Sequence, residues 1–211
     1  MDIVKNDSIE QINQEIAVCK SCVLWKNRTN VVPGVGNIHP VILFVGEGPG
    51  RDEDIKGEPF VGVAGQLLTK MLTAIELQRE DVYITNVVKC RPPGNRNPLP
   101  PEVGACKGYL ERQLLLLKPR IICTLGSVAM RTFLDTKDGI TKIHGRWFVY
   151  NASIGPNDSM LIPTFHPAYL LRNPNMKRAA WEDLKILKAA YDKILAAVPE
   201  KRFLEGSLKV V

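Results

Sequence analysis

The sequence predicts a three-layer α/β/α domain around a central, mainly parallel four-stranded sheet. Three observations predict it. Short apolar runs alternate with longer segments of helical period, the runs stop abruptly at glycine or at a polar residue, and no internal repeat or second block follows. Residues 41–45 (Val-Ile-Leu-Phe-Val) form a continuous apolar run ending in Gly46, the pattern of a strand buried on both faces. Residues 65–77 carry Leu67, Leu68, Met71, Leu72 and Ile75 at helical spacing, and residues 82–88 form a second β-rich run. A helix over 102–117 enters through Pro100-Pro101 and stops before Pro119. Residues 121–125 make a third strand ending at Gly126, and 127–134 a short helix. Residues 147–150 read as an edge strand and 160–164 as a fourth strand. A long helix over 176–198 closes the chain, with Trp181, Leu184, Leu187 and Ala190 on one face.

The 211 residues suit one domain over 1–211, and 45% hydrophobic with 24% charged residues is ordinary for a globular protein. No apolar run has the length of a bilayer span, and residues 1–7 lack the apolar core of a signal peptide, so a cytoplasmic protein is expected. The net charge of +6 is compatible with a polyanionic partner without requiring one. Basic residues gather at Lys89, Arg91, Arg96, Lys107 and Arg112, and again at Arg172, Lys177 and Arg178.

Ligands of parallel sheets bind beyond the carboxyl ends of the strands, and the unusual residues fall there. Gly46-Glu47-Gly48-Pro49-Gly50 follows the first strand. It lacks the spacing of a Walker A or dinucleotide turn, and its acidic surroundings (Glu47, Asp52, Glu53, Asp54) suit water or a cationic transition state better than phosphate. Asn86, inside an apolar strand, must pair with a neighbouring loop or with a ligand edge. Phe60 fits either a core position or a stacking platform, and His166-Pro167 ends the fourth strand. His39 and His144 read as surface or loop residues.

Of the five cysteines, Cys123 lies inside an apolar strand and reads as core. Cys19-Lys20-Ser21-Cys22 is a knuckle able to grip one metal, and Cys90 and Cys106 supply two further thiols. Four thiolates suit zinc or an iron–sulfur cluster, and spacing alone does not choose.

Together these residues resemble the iron–sulfur (family 4) uracil-DNA glycosylases. The resemblance runs through Gly46 to Gly50 with Glu53-Asp54, Gly57-Glu58-Pro59-Phe60-Val61-Gly62, Ala64-Gly65, Asn86-Val87-Val88-Lys89-Cys90-Arg91-Pro92-Pro93, Asn95-Arg96-Asn97-Pro98, Cys106, and His166-Pro167-Ala168-Tyr169-Leu170-Leu171-Arg172. It implies a DNA-repair enzyme of base excision repair that hydrolyses the N-glycosidic bond of uracil in DNA. It also implies a [4Fe-4S] cluster on Cys19, Cys22, Cys90 and Cys106. The implied partner is uracil-containing DNA, single- or double-stranded, met by a monomer with no membrane; in a prokaryote the enzyme would work at the nucleoid.

The resemblance also distributes roles. Phe60 stacks on the flipped base, Asn86 reads its amide edge, and His166 donates to O2 of the departing uracil. The best-studied uracil glycosylases have an aspartate where this chain has Gly48, which leaves Glu47 and Glu53 as the two candidates to hold the water; Glu53 is favoured, with Glu47 shaping the pocket near uracil C5. Leu170 or Leu171 wedges into the vacated stack, and Arg172 with Arg91 and Arg96 meets phosphates. A related iron–sulfur group uses a histidine near its third cysteine to bond the abasic sugar. This chain has Pro92-Pro93-Gly94-Asn95-Arg96-Asn97-Pro98 there, so ordinary turnover is expected. A non-catalytic DNA-binding module and a zinc protein fit parts of the pattern; the intact trio Phe60, Asn86 and His166 favours an enzyme over the first.

Overall fold

The computed structural model of the chain describes residues 7–150 and 159–197. The rest of the N-terminal segment read above, and Val198 at the expected end of the last helix, lie outside them. In chain order the elements are α1 (Ile9–Val18), β1 (Val35–Gly36), β2 (Ile42–Gly46), α2 (Arg51–Lys56), α3 (Val63–Ala74), β3 (Tyr83–Asn86), α4 (Pro100–Leu117), β4 (Ile121–Leu125), α5 (Ser127–Phe133), α6 (Ile140–Ile143), β5 (Phe148–Tyr150), β6 (Ser159–Thr164), α7 (Pro167–Arg172) and α8 (Lys177–Ala196).

The sheet has six strands among the described residues, in the order β1-β3-β2-β4-β6-β5. The four expected strands are its parallel centre, β3-β2-β4-β6. The count grows by antiparallel strands at both edges: β5, expected as an edge, pairs with β6, and the two-residue β1 pairs with β3. The chain steps from β2 to β3 on one side and then to β4 on the other. This reversal opens a crevice at the carboxyl ends of β2 and β4.

Alternation along the strands divides the core. Ile42 and Phe44 of β2, with Ile121 and Cys123 of β4, face a layer formed by α3 and α8; Leu68, Leu72, Leu184 and Leu187 meet them there. Leu43, Val45 and Ile122 face the opposite layer, where Leu110, Leu114 and Leu117 of α4 pack with Ala129 of α5. Cys123 is core, as expected.

Two expectations need correction. Trp181 of α8 is 38% exposed, and the buried stripe of that helix is Ala180, Asp183, Leu184 and Leu187. His144 is not a free surface histidine: its Nδ1 lies 2.9 Å from Asp183 Oδ1. Thr164 Oγ1 donates to the other carboxylate oxygen at 2.6 Å, so a buried aspartate is stabilised by partners from two other segments. α1 was not foreseen. Its Ile9, Ile12 and Ile16 sit on one face, and Ser8 caps it by accepting from Gln11 N–H at 3.1 Å.

Candidate active site and cysteine site

A cavity of ≈620 Å³ opens at the carboxyl ends of the parallel strands, lined among others by Glu47, Phe60, Asn86, Gly126, His166 and Arg172. The sheet register explains why they meet. Gly46 of β2 pairs with Asn86 of β3, and a side chain at Gly46 would lie 2.4 Å from Asn86 Oδ1 and 2.5 Å from the Phe60 ring. Glycine there lets the amide and the ring share one space. Asn86 is 1% exposed, and its Oδ1 is a buried acceptor that no protein group donates to among the described residues. Such an acceptor is costly to leave unpaired.

Phe60 sits at φ +55°, a left-handed conformation that costs a residue with a side chain about 1–2 kcal/mol. Its loop is held from two directions. Glu53 Oε1 accepts from Val61 N–H and Gly62 N–H, both at 2.9 Å, and Oε2 accepts from Gly50 N–H at 3.1 Å. Arg79 donates to the Phe60 carbonyl at 3.0 Å and to the Pro59 carbonyl at 2.7 Å. Beneath, a Cβ on Gly65 would come within 1.9 Å of the Phe60 carbonyl, so helix α3 can approach only through that glycine. The Phe60 ring faces His166 at 5.6 Å between centroids, tilted by 32°.

His166 caps α7. Its Nδ1 accepts from Ala168 N–H at 3.1 Å, which leaves the proton of the neutral ring on Nε2. Burial, with Arg172 nearby, pushes its pKa down to about 4, so the ring is neutral at physiological pH. Gly126, at φ +87°, lets the end of β4 pass close: a Cβ there would lie 2.9 Å from His166 Cβ.

The two candidate carboxylates differ in kind. Glu53 is occupied by three backbone amides and organises the loop. Glu47 is half-buried in the cavity wall; burial alone raises its pKa, with no hydrogen bond or charge opposing it. Of the two, Glu47 is the carboxylate whose oxygens accept no hydrogen bond among the described residues. Gly48 also lines the cavity, where a Cβ would come within 2.7 Å of Val88 Cγ2, so a larger residue requires the loop to move.

At the cavity mouth, Leu170 is 1% exposed and belongs to the core, whereas Leu171 is 39% exposed. Leu170 is thereby removed as a wedge by the rotation of α7. Arg172 is exposed and lines the cavity. Arg96 forms a bidentate pair with Glu102 at 2.8 and 2.7 Å, which commits its guanidinium within the protein, and Arg91 Nε donates to Asn95 Oδ1 at 2.7 Å.

The four expected cysteines come together. Cys19, Cys22, Cys90 and Cys106 line one small gap walled by Ile16 and Tyr109. Cys90 Sγ accepts from Arg28 at 3.2 Å, and Cys106 Sγ accepts from Lys89 N–H at 3.4 Å. Such donors suit sulfur that carries negative charge. Burial pushes the Cys106 thiol up to about 11 against the opposing charge of Lys89, and it raises Cys90 against Arg28. Burial works in the same sense on Cys19, but hydrogen bonds with Ser21 and Tyr109, and the Arg28 charge, outweigh it and lower that thiol. Among the described residues no three His, Cys, Asp or Glu side chains converge as on a single metal ion. Lys89 joins the two regions: its buried Nζ donates to Thr85 Oγ1, Asn86 O and Gln113 Oε1 at 2.6, 2.8 and 2.7 Å.

Comparison with known proteins gives the family. The family model of the uracil DNA glycosylase superfamily matches residues 33–185. A type-4 uracil-DNA glycosylase of Archaeoglobus fulgidus is 48% identical over 183 residues, covering 85% of this chain and 91% of that protein. Those of Sulfurisphaera tokodaii and Thermotoga maritima are 46% and 45% identical, covering 86% and 88% of this chain and 84% and 95% of their own lengths. With a central parallel sheet, a cavity at its switch point and likeness running through both, the chain belongs to the uracil DNA glycosylase superfamily and, within it, to the type-4 enzymes.

Proposed function

We propose that this protein excises uracil from DNA by hydrolysing the bond between N1 of the base and C1′ of the sugar, releasing free uracil and leaving an abasic site. The observation that carries the reading is the unpartnered Oδ1 of Asn86, buried in the cavity beside Phe60 and His166. An amide supplies an acceptor for uracil N3–H and a donor for O4; cytosine presents the opposite pattern. The reading places the flipped base on Phe60, its edge on Asn86, and O2 on the Nε2–H of His166. As the bond to N1 breaks, its electron pair leaves with the base and the sugar becomes cationic. A neutral histidine stabilises the developing oxyanion by hydrogen bonding, without giving up its proton. Glu47 faces the cationic side: it orients water toward C1′ and accepts the proton that water loses. Glu53 serves by shaping the loop that carries Phe60.

Leu171 fills the vacated stack, a role its exposure supports, with Arg172 and Arg91 near phosphates. On this reading the protein works in the cytoplasm and, in a prokaryote, at the nucleoid, as a monomer acting on single- or double-stranded DNA. No helix of the described residues is long and apolar enough to cross a membrane.

The four cysteines fit a [4Fe-4S] cluster. They share one gap, two of their sulfurs accept hydrogen bonds, and a cationic Arg28 stands beside Cys90. When bound, the cluster would join the segment at 19–22, the end of β3 and helix α4 through four thiolates. The hydrolysis itself needs no electron transfer.

The test is incubation with a uracil-containing oligonucleotide followed by alkaline cleavage, beside Asn86→Asp and a metal assay. Uracil release, weakened by Asn86→Asp about ten- to a hundredfold as one base contact of ~1–3 kcal/mol is lost, supports the reading. No release from single- or double-stranded substrate refutes it. Zinc in place of iron and sulfide refutes the cluster alone.

A further inference from the structure

Phe60 has a ring in the cavity and a backbone that does not hold its conformation unaided, at φ +55°. The peptide groups on both sides of it are occupied. Glu53 takes the amides of residues 61 and 62, and Arg79 takes the carbonyls of residues 59 and 60. Glu53 lies in the acidic loop that follows β2. Arg79 comes from a separate turn, Arg79–Asp81, leading into β3. It touches no cavity-lining side chain through these bonds; both donors reach main-chain oxygens, and its guanidinium is half-buried. Two divergent N–H donors on a planar fork fix two successive carbonyls together, a task that one ammonium group does less well.

We propose that Arg79 is a positioning residue for the base-stacking platform: its fork fixes the peptide groups of Pro59 and Phe60 and so sets the Phe60 ring opposite His166. The proposal rests on the reading that Phe60 stacks on the base. A platform displaced by about an ångström costs up to 10²-fold in rate even when the altered residue is remote from the chemistry.

The test is a double-mutant cycle with Arg79→Met and Phe60→Ala, measuring single-turnover uracil excision, affinity for uracil-containing DNA and melting temperature. Arg79→Met is expected to lower excision roughly 10- to 100-fold and Arg79→Lys by less. In the F60A background Arg79→Met should change excision little, because the group it positions is gone. The loss of melting temperature should be similar in both backgrounds, so stability alone cannot produce the pattern. Equal losses of excision in both backgrounds, or none with Phe60 present, overturn the proposal while leaving Phe60 its role. If Phe60→Ala itself excises normally, the platform reading falls first and the proposal falls with it. Should Arg79→Met not fold, Arg79→Lys carries the same cycle.

Discussion

The cavity and the cysteine gap lie along the segment 86–90 that leaves β3, linked by the bond from Lys89 to the Asn86 carbonyl, yet they are assembled in opposite ways. In the cavity Glu47, Asn86 and His166 stand at the ends of β2, β3 and β6, Phe60 stands on the loop between α2 and α3, and nearby main-chain bonds hold His166 and the Phe60 loop. Ala168 N–H fixes His166, and three amides occupy Glu53. The cysteine gap has no such local scaffold; it brings residues 19–22, 90 and 106 together across the chain. A site assembled from distant segments holds the fold together, whereas one mounted on strand ends can lose a functional group and leave the fold standing. Substitutions in the gap should therefore act on stability, and those in the cavity on rate.

The largest effect is expected at Cys106. Cys106→Ala removes a 7%-exposed thiol that connects α4 to the end of β3. Loss of iron, soluble yield and melting temperature should come together, as when metal binding contributes to folding free energy. A soluble, iron-free C106A protein melting like the wild type would break the comparison at its root.

Next comes His166→Ala. Loss of one donor to a developing oxyanion costs about 10²–10³ in rate, and single-turnover excision should fall by that factor. Affinity for uracil-containing DNA should hold, and melting should reflect only a lost helix cap, about 1 kcal/mol. Joint loss of affinity and stability would instead make His166 a strand-end fastener.

A third pair sharpens the difference within one loop. Glu47→Gln should lower excision by about 10² with melting unchanged or raised, since burial disfavours the charge that the substitution removes. Glu53→Gln should lower melting, as charge-assisted hydrogen bonds of about 1.5–3 kcal/mol are weakened, and should affect excision through Phe60. Exchanged results would return the water to Glu53.

What the sequence made legible follows the same division. Apolar or β-rich runs marked all four central strands, because strands covered on both faces show little polar alternation to obscure them. The short α1 and the two-residue β1 gave little signal: one is largely polar outside three isoleucines, the other too brief for any period. Gly46, Asn86 and His166 stood out as unusual residues at strand ends. Which of two neighbours faces the site did not, because it depends on rotation about an element. Glu47 against Glu53 turns on where α2 begins, and Leu171 against Leu170 on the phase of α7. Arg96 reads as a phosphate ligand because its partner Glu102 meets it only where the chain turns into the first turn of α4. Arg79 gave no warning at all, since its bonds go to main-chain oxygens of a loop 19 and 20 residues away.

The smallest effect on rate concerns pH, and it tests whether the main-chain mounting of His166 governs its chemistry. Its pKa is about 4 in the fold against an ordinary 6.5, so between these values the unfolded chain binds a proton that the native one refuses. Its contribution to stability is therefore complete above pH 6.5 and declines as the pH falls toward 4. Protonation at Nδ1 would also break the bond from Ala168 N–H, so the ring has two reasons to remain neutral. With only three histidines in the chain, imidazole NMR can follow each one. His166 should titrate near 4 with its proton on Nε2 above that pH, and excision should show no inflection near 6.5 that His166→Asn abolishes. The melting-temperature difference between wild type and His166→Asn should shift against the wild type as the pH falls through that window, which separates this residue from carboxylates such as Asp7, Glu15 and Glu102 that titrate in both proteins. An ordinary midpoint near 6.5 would mean that His166 is open to water and that its cap does not set its tautomer, and the contrast between a pre-set cavity and a cross-linking gap would lose its clearest instance.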